Sequence, residues 1–206
     1  TNFVTQFIST AYPQEDIKWD RDTINVCSLD IEVQSDQGFP KPQEAAHPVT
    51  AICVKNNQSD TYVVWGLKDY DSSLNDLNVE YFKMIDEKAL LRAFLDWWGA
   101  NSPDVVTGWN SKMFDIPYLV NRVRNVINDD ATKAFSPWKI VRAREIKTAY
   151  GVDQSYDLEG ISQLDYLDLF KKFGKLTYGE QESYKLDHVA NTILGEAKLS
   201  YEEYGN

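Results

Sequence analysis

With 206 residues, 43% of them hydrophobic and 13% aromatic, the chain can bury a sizeable core, which excludes a disordered segment. A net charge of −11 excludes a protein whose whole surface attracts nucleic acid, and no apolar run is long enough to span a membrane. No signal-peptide pattern opens the chain. It starts at Thr1, so it reads as a piece of a longer protein.

Residues 1–22 are mixed and polar, with Pro13 among them. They read as an irregular lead-in from a preceding region, with one short strand at residues 2–9. The first clear strand covers residues 24–33. Its Ile, Val and Leu content suits a buried position, yet it carries Asp30 and Glu32 at i and i+2. In a strand those positions face the same side, about 6.6 Å apart. Two carboxylates on one face of a central strand supply the hard oxygen ligands that a divalent cation takes. The plain alternative is an exposed strand end with two solvated acids.

Residues 35–42 are rich in turn formers and carry Phe39. An exposed Phe beside such a strand can stack on a nucleobase; it can equally fold back onto the core. Residues 49–55 and 61–65 read as two further strands joined by a turn at 56–60, and residues 66–82 as surface loop. Residues 86–98 show helical spacing of Leu90, Leu91, Phe94, Leu95 and Trp98, with Gly99 as a stop signal. A short strand at 105–109 leads to a helix at 114–127, where Asp115 has the chemistry of an N-cap and Pro117 suits the first turn. Residues 141–150 and 155–164 alternate around Gly151-Val152-Asp153-Gln154 as a long β-hairpin, and helices follow at 165–173 and 183–194. The order indicates an α/β class.

Cys27 and Cys53 both fall in strands and read as buried, reduced thiols; no Cys/His cluster has zinc spacing. From residue 121 to 147, seven basic residues (Arg122, Arg124, Lys133, Lys139, Arg142, Arg144, Lys147) face three acids, Asp129, Asp130 and Glu145. Against an acidic background this stretch is a candidate phosphate-facing patch; the alternative is ordinary surface charge.

Asp30-Ile31-Glu32, and Asn110 followed by Phe114-Asp115, resemble the first two exonuclease motifs of family B DNA polymerases. The similarity extends to Asp36-Gln37-Gly38-Phe39-Pro40, to Leu164-Asp165-Tyr166-Leu167-Asp168-Leu169-Phe170, to Ser183-Tyr184-Lys185-Leu186-Asp187 and to Leu194-Gly195-Glu196-Ala197-Lys198. It covers nearly the whole chain and is strongest toward the replicative polymerases of T-even-like bacteriophages.

The resemblance implies a ribonuclease H-like α/β fold, a mixed sheet with flanking helices and an inserted long β-hairpin. Residues 23–206 would form a 3′→5′ exonuclease domain acting in the bacterial host cytoplasm. It further implies two divalent metal ions, Mg²⁺ or Mn²⁺, held by Asp30, Glu32 and Asp115, with Lys198 near the scissile phosphate. Phe39, Asn110, Phe114, Arg142 and Arg144 would contact single-stranded DNA or a frayed primer 3′ end. Asp165 and Asp168 match family acids and read as structural. The remaining partner would be the rest of the polymerase chain, in cis or as a split subunit, and no membrane is implied.

The family's third motif, a Tyr four positions before an Asp, would follow Lys198. It does not occur between Lys198 and Asn206, and Tyr178 with Glu182 stands before Lys198. This piece alone is therefore expected to be a weak nuclease or inactive. The alternatives are a non-catalytic nucleic-acid-holding fragment and a free-standing RNA exonuclease of the same superfamily.

Overall fold

The computed structural model describes residues 3–13, 20–34, 38–74, 76–148 and 151–196. Its elements are α1 (Phe3–Ala11), β1 (Val26–Val33), β2 (Val49–Asn56), β3 (Tyr62–Gly66), β4 (Val79–Lys83), α2 (Glu87–Ala100), β5 (Val105–Thr107), α3 (Asp115–Val126), β6 (Val141–Thr148), β7 (Gly151–Leu158), β8 (Ser162–Gln163), α4 (Tyr166–Leu169), α5 (Lys175–Tyr178) and α6 (Leu186–Leu194). The result is a mixed α/β architecture. A six-stranded sheet runs β4-β3-β2-β1-β5-β8, and β6 with β7 forms a separate antiparallel hairpin. No helix among the described residues is long and apolar enough to cross a membrane.

The strand carrying Asp30 and Glu32 lies inside the sheet, antiparallel to β2 and parallel to β5. Its burial alternates. Cys27, Leu29 and Ile31 point into the core, while Ser28, Asp30 and Glu32 are exposed on the other face. The apolar run is thus one buried face of a strand, not a strand buried on both sides. The covered face of the sheet packs against α2 over β2 and β3 and against α3 over β1; Leu90, Leu91, Phe94, Leu95 and Trp98 of α2 are all buried in this core. Each such side chain contributes about 2 kcal/mol on leaving water. Trp65 of β3 meets Phe94 edge-on at 5.6 Å, and Trp98 donates its indole N–H to the Phe135 carbonyl.

Several expectations are corrected. Residues 3–11 form a helix rather than a strand: Phe3, Phe7 and Ala11 recur every four residues, a helical period. The stretch 66–82 is not all loop, because residues 79–83 add β4 in parallel to β3 at the sheet edge. Gly99 does not end α2; Asn101 does, donating from its backbone and side chain to the Trp97 carbonyl. The hairpin pairs Thr148 with Gly151, so Gly151–Gln154 lie in β7 and not in a turn. The helix expected over 165–173 is three pieces, α4, a π-helical turn Phe170–Gly174 and α5.

The thiol expectation fits the geometry. Cys27 is buried and Cys53 half-buried, and both are free. Burial first, and then the neighbouring thiol, push the Cys27 group up to about 12. Burial and the nearby Asp30 charge push Cys53 up to about 11.

Candidate functional site

The site forms where β5 stops. Strand β1 pairs with β5 only through Val26, Cys27 and Ser28, so its backbone edge beyond Ser28 has no strand beside it. Gly108 lets the chain leave β5 close against that edge: a Cβ there would lie 2.6 Å from the Leu29 carbonyl oxygen. The chain then turns at Asn110, whose φ of +67° is left-handed, a region in which Asn is several-fold enriched. The Asn110 carbonyl accepts from Met113 N–H and Phe114 N–H, and this turn delivers Asp115 to the edge of β1.

Asp115 is buried, 3% exposed. It is the first residue of α3, and its Oδ1 accepts the Ile31 N–H at 3.2 Å, between the two acids of β1. The N-cap expectation is corrected: Phe114 holds that position, with no side-chain cap. The carboxylate instead satisfies a strand amide that β5 leaves open. Burial, and then the charge of Asp30, push the Asp115 carboxyl up to about 7. Bonds from its own amide and from Ile31 oppose the rise, and Asp165 adds a smaller upward contribution.

Asp30, Glu32 and Asp115 are thus brought to one stretch of β1 from positions 85 residues apart in sequence. Among the described residues, no three acid, His or Cys side chains form a ready-made metal cage. The donor set nevertheless suits a divalent ion. It is all carboxylate oxygen, and one member is held where its negative charge is costly without a nearby cation.

Phe39 is 78% exposed and follows Gly38, whose φ is +74°. Its ring packs against Phe114 at 5.0 Å between centroids, and Phe114 packs against Tyr118 at 5.6 Å. Phe39 is neither in the core nor isolated; it is the outer member of an aromatic row that runs through Phe114, next to Asp115, to the buried Tyr118. The loop carrying it is tied down: Asn121 donates to the Pro42 carbonyl, Asn125 to the Glu44 carbonyl, and Gln43 to Asp153 of the hairpin.

The basic stretch divides. Arg122 and Arg124 are not phosphate-facing. Arg122 makes two 2.7 Å bonds to Glu87, and the two side chains are 14% and 13% exposed. Arg124 is committed to Asp129, Asn121 and Tyr156. Arg142 and Arg144 stand exposed on β6, each with an acid on or just after β7, Glu159 at 2.8 Å and Asp157 at 3.7 Å. Such exposed pairs hold their charges loosely. Lys198 lies outside the described residues, as do Asp36 and Gln37 of the Phe39 motif.

The structural reading of Asp165 gains a specific partner, and one further contact escaped the sequence reading. Asp168 is exposed, but Asp165 is 4% exposed and accepts backbone N–H bonds from Asn110, Lys112 and Leu167. An Asp just before a helix is a legible N-cap signal; its grip on a loop 55 residues earlier is not. The Gln43–Asp153 contact, linking the Phe39 loop to the hairpin, has no sequence signal at all.

Residues 6–189 match the family model for the exonuclease domain of DNA polymerase family B. The chain is 34% identical over 98% of its length to a DNA-directed DNA polymerase of Escherichia phage RB69, and 31% identical over 98% to that of Enterobacteria phage T4. It is 28% identical over 85% to the DNA polymerase delta catalytic subunit of Candida albicans. It spans 24% of each phage protein and 17% of the yeast one, so it covers about a quarter or less of these relatives. This chain belongs to the family of exonuclease domains of family B DNA polymerases.

Proposed function

We infer that this chain carries a ribonuclease H-like proofreading domain that removes nucleotides from DNA 3′ ends by metal-assisted phosphodiester hydrolysis. The observation that carries this reading is the convergence of Asp30, Glu32 and the buried Asp115 on one stretch of β1, in a chain of this family. Asp30, Glu32 and Asp115 would hold Mg²⁺ or Mn²⁺, which when bound lowers the pKa of water and stabilises the departing 3′ oxygen. Phe39 and Phe114 offer ring faces to the terminal bases, and Asn110 offers a polar side chain at the turn between them and the acids. The remainder of a polymerase chain would present the frayed primer end.

Metal binding is tested without activity. Mn²⁺ should raise the melting temperature of the wild-type chain, and Asp30→Asn, which keeps the shape and removes the charge, should abolish the rise. An equal rise in the variant would place the ion elsewhere.

The DNA path is tested by salt. Arg142 and Arg144 line the outer face of β6, and their acidic partners are exchangeable for phosphate. Reversing both to Glu should weaken binding of a single-stranded oligonucleotide and make log Kd less steep against log salt by about one to two counterions. An unchanged slope would remove the hairpin from the binding surface.

A further inference from the structure

The geometry points to Asp165 as a positioning residue for the exonuclease site: its buried carboxylate clamps the 108–115 turn that carries Asn110, Phe114 and Asp115. This inference rests on the exonuclease reading of that site. Asp165 Oδ1 accepts the Asn110 N–H at 3.1 Å and the Leu167 N–H at 2.9 Å; Oδ2 accepts the Lys112 N–H at 2.9 Å. Both carboxylate oxygens are therefore used, and they grip two alternate amides of one turn. Hydrogen bonds to a charged acceptor are roughly twice as strong as neutral ones.

The turn needs such a grip. Asn110 sits in the left-handed region, which is costly for most L-residues and somewhat less so for Asn, so bonds from outside help to hold the turn there. The other ties run along the same seam: Tyr166 N–H donates to the Gly108 carbonyl, Thr107 Oγ1 donates to the Leu164 carbonyl and Ser155 Oγ donates to the Lys112 carbonyl. Asp165 is distinguished from these by charge, by burial and by holding two turn amides at once.

The residue type matters. A carboxylate offers acceptors on both oxygens, whereas Asn offers one oxygen and an NH₂ that donates only. Asp165→Asn therefore keeps the volume but faces at least one turn amide with a second donor. The consequence falls on placement rather than on chemistry. Asp115 and Asn110 would wander relative to Asp30 and Glu32, and a shift of about 1 Å in a reacting geometry can cost on the order of a hundredfold in rate.

The test has two arms. In the 206-residue chain, amide hydrogen exchange in EDTA should show Asn110 and Lys112 strongly protected in the wild type. In Asp165→Asn they should lose at least tenfold in protection while Val54 on β2 keeps its own. In a polypeptide that carries this sequence and continues through the third motif, Asp165→Asn should lower kcat on a single-stranded oligonucleotide tenfold to a hundredfold, with less than a threefold change in KM. Leu95→Ala, an α2 core variant, supplies the measure of general destabilisation.

Rapid exchange of Asn110 and Lys112 in the wild type would overturn the clamp without any variant. So would a loss of kcat no greater than that of Leu95→Ala at a matched melting temperature. The exchange arm needs neither metal nor DNA. A wild-type polypeptide extended through the third motif that protects the turn but releases no nucleotide would instead refute the exonuclease reading and leave the clamp standing.

Discussion

Asp115→Asn is expected to raise the melting temperature of the metal-free protein at pH 8, with a gain that disappears toward pH 4. Burial and the Asp30 charge lift the Asp115 carboxyl from 3.8 in an exposed chain to about 7 in the fold. The folded state thus holds this proton more tightly than the unfolded state does. The resulting stabilisation is complete below pH 4 and is lost as the pH rises through 7. At pH 8 the fold carries a buried anion near a second carboxylate. Three pKa units correspond to roughly 4 kcal/mol. Asn keeps an oxygen for the Ile31 N–H without the charge. Thermal melts in EDTA from pH 4 to pH 8 measure the difference. A wild type that is more stable at pH 8 than Asp115→Asn would show that Asp115 is held by a cationic group and not opposed by Asp30. With Mn²⁺ present the order should reverse, because the same charge then has a counterion.

The second large effect lies away from the site. Glu87 opens α2 and accepts two bonds from Arg122 of α3; its Oε1 also accepts the Val49 N–H that starts β2. Arg122 Nη1 donates to the carbonyls of Ala45 and Ala46. One ion pair therefore joins two helices, a strand start and the loop that carries Phe39. Arg122→Leu alone leaves Glu87 charged in a site 13% exposed and should cost about 3–5 kcal/mol. In a domain of this size that is roughly a 6–20 °C fall in melting temperature. The double replacement, Arg122→Leu with Glu87→Leu, should recover more than half of the loss. Single and double variants that melt together would show that the pair adds no coupling beyond its separate contacts.

Arg122 also shows where the sequence misleads. A charge count along residues 121–147 weighs all seven basic side chains alike. It cannot see that Glu87, 35 residues earlier, has already claimed one of them. Asp115 is legible as a candidate site residue through its motif, yet its local chemistry suggests a helix cap. The correct partner, the Ile31 amide, exists only because β5 ends at Thr107 and leaves the β1 edge open. Asp30 and Glu32 were readable directly, since a two-residue spacing fixes a common face in any strand. The edge strand β4 was not, because Val79-Glu80-Tyr81-Phe82-Lys83 mixes charge with apolar residues and follows a polar run. At a sheet edge that composition is tolerated, because only one neighbour must be satisfied. The helix α2 was read nearly to its true bounds from its apolar period, the kind of signal that survives without tertiary knowledge.

Release of nucleotide from a single-stranded oligonucleotide tests the account most directly. A label at the 5′ end, Mg²⁺, and a polypeptide carrying this sequence through the third motif should give products that shorten one nucleotide at a time from the 3′ end. Asp30→Asn should slow the release by at least a hundredfold while leaving the melt in EDTA within a few degrees. Products trimmed from the 5′ end, or an Asp30→Asn enzyme that keeps wild-type rate in Mg²⁺, would contradict the assignment of the β1 carboxylates as the catalytic centre.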